Sequence, residues 1–277
     1  MRRPCAWRVS PLPEGDYSTE RDLLAAAVRD AGALALKTFR SPMRQWIKGK
    51  SSPVSEADIA VDALLREKLG GAFPEYGWLS EETEDDPNRL KADAVWIVDP
   101  IDGTRAYLAG REDWVVCVAL AAAGRPRIAA LYAPVTDEFF FAVAGEGATC
   151  NGVPIHVRPG TGLEGTTLLG PKRFLGSLAE LHPSMMPLPR IGSLALRLAR
   201  VAQGAVDITI VTGNSYDWDL AAADLLVHEA GGALTDIDGE RLTYNCPQPV
   251  HALLVAASRA RHGTALALIR ERKAQFV

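Results

Sequence analysis

Nowhere in the 277 residues does an apolar stretch approach the roughly 18 uninterrupted residues that a membrane-spanning helix needs. The opening Met1-Arg2-Arg3 is not followed by the continuous apolar segment of a secretory signal, so the chain is expected to remain in the cytoplasm. Cysteine is scarce. Cys5, Cys117, Cys150 and Cys246 lie far apart with no C-x-x-C pair, which suits neither a disulfide framework nor a zinc site and reads as reduced thiols. An excess of positive charge is missing too: 30 Lys and Arg against 34 Asp and Glu give a formal net charge of -4. That balance excludes the basic field by which proteins hold a nucleic-acid polymer through counterion release. There is also no internal repeat, low-complexity tract or Gly/Ser linker that would separate independent domains.

What remains is globular in composition, 48% apolar and 23% charged. The length suits one large layered domain or two intimately packed subdomains. Residues 1–17, with Pro4, Pro11, Pro13 and Gly15, read as an extended N-terminal arm. Thr19 with Asp22 resembles a capping box, and Leu24, Ala27, Val28, Ala31, Leu34 and Ala35 then recur at helical period to about Phe39. Ser55 with Asp58 repeats the cap signal before a second helix that Gly70-Gly71 should stop. Ala94–Val98 reads as a buried strand ended by Asp99-Pro100. Strands over 114–122, 127–132 and 138–144 follow as a meander, and Asn151-Gly152 marks a hairpin turn. The second half alternates strands at 166–169, 206–211 and 252–256 with helices at 193–202, 218–229 and the C-terminus, the rhythm of an α/β layer. A boundary near residue 150 therefore divides subdomains 18–150 and 151–277 of one catalytic unit.

The chemistry concentrates in Asp99-Pro100-Ile101-Asp102-Gly103-Thr104, directly after the buried strand. Two carboxylates around a proline turn can converge on one point, where they repel unless a hard cation lies between them, and magnesium is the natural ion. Gly103 would let the backbone approach an anion, and Thr104 offers a hydroxyl at the start of a helix whose free amides point the same way. A plain Asp-Gly turn with a capping threonine is the alternative for an isolated D-G-T.

The segment Trp96–Thr104 resembles the first motif of the inositol monophosphatase family of metal-dependent, lithium-sensitive phosphatases. Trp78-Leu79-Ser80-Glu81-Glu82 resembles that family's acidic pair, Ser52–Asp58 its earlier segment ending in aspartate, and Trp218–Ala223 through Glu229–Gly232 its second motif. The resemblance spans about residues 20 to 260 and implies an α/β fold with α-β-α-β-α layers and hydrolysis of a phosphomonoester with two to three Mg2+ ions. It implies that Glu81, Asp99 and the Ile101 carbonyl surround one ion, that Asp99, Asp102 and Asp219 surround a second, and that a third, weaker ion lies near Glu81. Asp58 and Thr104 would orient the attacking water, and Gly103 with Thr104 would hold phosphate. From local sequence alone, a helix cap accounts for Asp58 about as well, a solvated acidic run accounts for Glu81, and a helix-start carboxylate for Asp219.

Lys172, Arg173 and Arg197 stand where the family contacts the non-reacting part of its substrate, and three cations there suit a second phosphate, with a solvated surface as the alternative. Arg197 and the stretch Asn214–Asp224 resemble the bacterial 3'(2'),5'-bisphosphate nucleotidase branch, which implies 3'-phosphoadenosine 5'-phosphate as substrate; inositol 1-phosphate is the alternative. The chain departs from the family at Ala109, where a polar or basic residue is usual, so substrate grip is in question there before catalysis. The five histidines fall in no motif and read as structural or surface residues. A small phosphorylated substrate is the expected partner, with no membrane or nucleic-acid polymer, and monomer and homodimer both stay open.

Overall fold

The computed structural model of the chain describes residues 17–48 and 52–271. Apart from Tyr17, the expected arm lies outside the described residues. Helix α1 (Ser18–Thr38) buries Leu24, Ala27, Val28, Ala31 and Ala35, one stripe at helical spacing. Its start is not the Thr19–Asp22 box: Tyr17 sits at the cap without a side-chain bond, and buried Glu20 accepts from the Tyr76 hydroxyl at 2.8 Å. A tertiary contact, not a local cap, fixes this helix end. A hairpin of β1 (Gln45–Lys48) and β2 (Ser52–Ser55) leads into α2 (Glu56–Leu65), which a wider turn prolongs over Arg66–Gly70. Here the expected box is present, with the Ser55 amide donating to Asp58 Oδ2 at 2.8 Å.

Seven strands form the first sheet, in sequence order: β3 (Gly77–Ser80), β4 (Ala94–Asp102), β5 (Val115–Ala122), β6 (Arg125–Ala133), β7 (Glu138–Val143), β8 (Gly147–Cys150) and β9 (Val153–Pro154). β3 runs parallel to β4 and every other pair is antiparallel. Asn151 and Gly152, at φ +51° and +77°, turn β8 into β9 as their sequence predicts. The boundary drawn near 150 thus falls in the last hairpin of this sheet, which continues to Pro154. Both faces are buried because helices cover both. Trp96, Val98, Val116, Val118 and Leu120 pack under α1 and α2, while Val95, Ile97, Val115, Cys117 and Ala119 face the opposite layer.

That middle layer consists of α5 (Leu194–Ala202) and α6 (Asp217–Glu229), which follow the short α3 (Thr104–Leu108) and α4 (Lys172–Leu181) in the chain. Its far side is a second sheet built from β10 (Thr167–Leu169), β11 (Met186–Pro187), β12 (Ile208–Val211), β14 (Gly232–Asp236) and β16 (Leu254–Ser258), in the order β11-β10-β12-β16-β14. β13 (Ser215–Tyr216) and β15 (Val250–His251) pair separately at the edge of the middle layer. α4 and α7 (Arg259–Glu271) cover the outer face of the second sheet around Phe174, Leu178, Ile208, Ile210 and Leu266. The order is helices, sheet, helices, sheet, helices, the α/β layering that the resemblance implies. No helix among the described residues is long and apolar enough to cross a membrane.

Candidate metal centre and active site

The site begins with a fault in β4. In a regular strand, residues three apart face opposite sides of the sheet, so Asp99 and Asp102 should diverge. The register against β5 instead slips by one: Asp99 lies opposite Cys117 and Asp102 opposite Val115. Cys117 and Val115 both face the α5/α6 layer, and the extra residue on β4 turns both aspartates to that side. Pro100 is tolerated because a bulge asks for no amide there. The strand therefore does not end at Asp99-Pro100, as its sequence suggests; it runs on to Asp102.

Asp219, in the first turn of α6, reaches the same point from the middle layer. One carboxylate oxygen from each of Asp99, Asp102 and Asp219 lies within 4.8 Å of the others. Their surroundings differ. Asp102 is satisfied by protein: Oδ2 accepts from Ser193 Oγ at 2.6 Å and from the Ala195 amide at 2.5 Å, and Oδ1 from the Leu194 amide at 3.2 Å. Asp219 Oδ2 accepts from the Tyr216 amide at 2.6 Å. Asp99 is 1% exposed, yet neither of its oxygens has a hydrogen-bond partner. A buried carboxylate left in that condition costs several kcal/mol unless something cationic completes it.

Burial, then the neighbouring charges of Glu81, Asp102, Asp219 and Asp58, push Asp99 well above the usual carboxylate range. Burial followed by Asp102 does the same to Asp219. Glu81 follows β3, its amide bonded to the Val98 carbonyl at 3.3 Å, and burial with the adjacent Glu82 pushes it up to about 7. This donor set is all oxygen, crowded and short of positive charge, which is the chemistry of a hard divalent cation site. The Cys117 thiol, opposite Asp99, is held protonated by burial and the same carboxylates, so it offers no thiolate.

Asp58 and Thr104, far apart in sequence, meet beside this cage. Asp58 Oδ2 is occupied by the cap, accepting from the Ser55 amide and from Ser55 Oγ at 2.6 Å. Its other oxygen lies 3.1 Å from Thr104 Oγ1, which is also 3.0 Å from the Ile101 carbonyl. One hydroxyl proton serves one of these acceptors at a time. The cap and the site are thus the same carboxylate used on two sides. Gly103 holds φ +98°, and a Cβ there would lie 3.1 Å from the Asp113 carbonyl and 3.2 Å from the Ser193 amide. The space a side chain would need at Gly103 is filled by the chain that carries Ser193 to Asp102.

Of the three expected substrate cations, the structure brings Arg197 to the site. Its guanidinium donates to the carbonyls of Ser193 at 3.1 Å and Gly192 at 3.3 Å. Burial lowers its pKa, and the negative charges of Asp102 and Asp219 oppose that shift. Lys172 is exposed on the first turn of α4. The side chain of Arg173 lies outside the described residues. Several supporting residues escaped the sequence reading. Lys48, on β1, bonds the Glu81 carbonyl and pairs with Glu82 at 3.2 Å. Asp62 ties down the acidic run by accepting from Ser80 and from Thr83 at 2.7 Å. Asp217 anchors the start of α6 to the Asn245 amide at 2.7 Å and to His251 at 2.7 Å, and Asn245 accepts in turn from buried Arg89 at 2.5 Å.

With this geometry in hand, similarity to known proteins agrees. The inositol monophosphatase family model matches residues 16–274. Proteins named Nus factor SuhB are similar in sequence: that of Escherichia coli K12 is 30% identical over 229 residues, covering 79% of this chain and 85% of the other. That of Haemophilus influenzae is 32% identical over 224 residues, covering 76% and 83%. Among solved structures, the extragenic suppressor protein SuhB of Bartonella henselae aligns with a TM-score of 0.82 at 27% identity, over 91% of this chain and 99% of that one. A Thermotoga maritima IMPase aligns at 0.83 with 24% identity, over 94% and 100%, a likeness of fold. A chain matched along nearly its whole described length, with an all-carboxylate cage on the same layered fold, belongs to the inositol monophosphatase family and is a phosphatase of that family.

Proposed function

We propose that this phosphatase is magnesium-dependent and removes the 3'-phosphate of 3'-phosphoadenosine 5'-phosphate, leaving adenosine 5'-monophosphate and inorganic phosphate. The carrying observation for metal dependence is Asp99, fully buried in a carboxylate cluster with both oxygens unpartnered. Glu81, Asp99, Asp102, Asp219 and the Ile101 carbonyl would hold two to three ions. Bound magnesium supplies polarisation of the phosphoryl oxygens, neutralisation of the leaving alkoxide and acidification of water. The chain's own contribution is positional. Thr104 Oγ1 orients a water and hands its proton towards Asp58, whose raised pKa, set chiefly by burial, suits a proton acceptor. The Ser193 loop locks Asp102 so that the cage does not collapse between turnovers. The amides of Gly103 and Thr104 form the proposed phosphate cradle.

Arg197 beside the cage supports a substrate with a second anionic group, and Lys172 and Arg173 at the start of α4 are proposed as its further contacts. Its bonds to the Ser193 and Gly192 carbonyls favour a second reading in which Arg197 braces the loop and the substrate is inositol 1-phosphate. Phosphate release from the two compounds side by side, with and without magnesium and with lithium as inhibitor, separates them. A site built to pair a second phosphate loses several kcal/mol when that group is absent. Strong preference for the nucleotide, reduced in Arg197→Met, is the expected result. A ratio near one would remove the nucleotide assignment.

A further inference from the structure

Tyr216 is the last residue of β13, and its amide donates to the Asp219 carboxylate at 2.6 Å, so its side chain is rooted at the edge of the cage. Its ring lies parallel to that of Trp218, with centroids 4.5 Å apart and planes within 3°. Trp218 packs in turn against the core of the middle layer. With one face covered by the indole, Tyr216 is still 40% exposed, so part of the ring meets solvent. The backbone beneath is fixed from several sides. Tyr216 pairs with Val250, the Asp217 amide donates to the Pro249 carbonyl at 3.0 Å, and the Asn214 amide donates to the His251 carbonyl at 2.9 Å. His251 is also held by Asp217 at 2.7 Å. A rigid, backed aromatic face carried by two torsions loses little entropy when a planar ligand settles on it.

We infer that Tyr216, backed by Trp218, is the platform on which the substrate's aromatic base stacks; the inference rests on the nucleotide reading given above. A nucleotide's base stands one sugar ring away from its 3'-phosphate. Phosphate seated at the cage leaves the base within reach of a tyrosine that starts at the Asp219 carboxylate. Every base has a π-face, so such a platform recognises a nucleoside without selecting strongly among bases. Tyr216 would then account for affinity towards the nucleoside part, and Arg197 for the second phosphate.

The test is steady-state turnover of 3'-phosphoadenosine 5'-phosphate and of inositol 1-phosphate, which has no base, by the wild type, Tyr216→Ala, Tyr216→Leu and Tyr216→Phe. Alanine and leucine should lower the nucleotide-to-inositol ratio of kcat/KM by roughly ten- to a hundredfold, the range alanine replacement gives at base–aromatic stacks. The loss should appear as a raised nucleotide KM with kcat held, and phenylalanine should keep the wild-type ratio. Inhibition by adenosine 5'-monophosphate should weaken by the same factor. Should the alanine variant fail to fold, the leucine variant, which keeps apolar bulk but no π-face, decides. A strong nucleotide preference in the wild type that persists in these variants overturns the platform alone. A wild-type ratio near one overturns the nucleotide reading and the platform with it.

Discussion

Replacing Asp99 by asparagine should make the metal-free protein more stable and the enzyme inactive. Asp99, Asp102 and Asp219 present oxygens within 4.8 Å of one another, and Asp99 has no donor to offset its charge. Two unit charges at that separation repel by about 3 kcal/mol at an effective dielectric near 20. Because Asp99 is pushed towards its protonated form, part of this cost is already relieved, and a gain of about 1–3 kcal/mol is a fair expectation. In a chain of this size that corresponds to a rise in Tm of roughly 2–8 °C. The asparagine amide can also donate to the neighbouring carboxylates, which an ionised aspartate cannot. The assay is thermal melting at pH 8 in EDTA and again in excess magnesium. The wild type should gain stability from magnesium, by about 2.7 kcal/mol at a hundred times Kd, while the variant gains little and releases no phosphate. An asparagine variant less stable than wild type in EDTA, or one that keeps the magnesium shift and turnover, would refute the argument.

Two further outcomes follow from the same site. Glu81 is raised from an ordinary 4.5 to about 7, so between those values the folded chain holds protons that the unfolded chain has released. Metal-free stability contributed by this group is therefore present below about pH 4.5 and lost as pH rises through about 7. Since magnesium competes with those protons, its stabilising shift should grow from pH 5 to pH 8, and melts showing a pH-independent shift would count against the cage. Gly103→Ala should cost about 1–3 kcal/mol, because φ is +98° and the new Cβ would lie 3.1 Å from the Asp113 carbonyl. Turnover should fall with it as the Ser193 loop moves off Asp102, and circular-dichroism melts with phosphate release would check both.

The layered fold was legible where a local pattern carried it: the 3.6 period of α1, the Ser55–Asp58 cap, the β-branched run of β4 and the Asn151-Gly152 turn. It was less legible where tertiary contact decided. The Thr19–Asp22 box has the right residues, but burying Glu20 against Tyr76 starts the helix earlier. β3 is only four residues long, and α2 winds into a wider turn over Arg66–Gly70, features with no periodic signal of their own. β4 passes through Pro100 because the bulge removes the need for an amide, and proline in a strand otherwise argues for an end.

The candidate site divides along the same line. Asp99, Asp102 and Thr104 fall within one hexapeptide, so their types and spacing can be read directly. What turns the two aspartates to one face is a register slip against β5, visible only once the strands are paired. The groups that tune the cage come from far away: Ser193 bonds Asp102 across 91 positions and Arg89 bonds Asn245 across 156. No local pattern records such contacts. The same holds for the substrate side, where Lys172, Arg173 and Arg197 are alike in sequence, yet Arg197 sits in the field of Asp102 and Asp219 while Lys172 lies on an exposed helix turn. Carboxylates that must converge on one ion are constrained by their own chemistry and leave a motif. A cation or an aromatic ring serving one substrate rather than another needs only to arrive at the right place, and many sequences deliver it there.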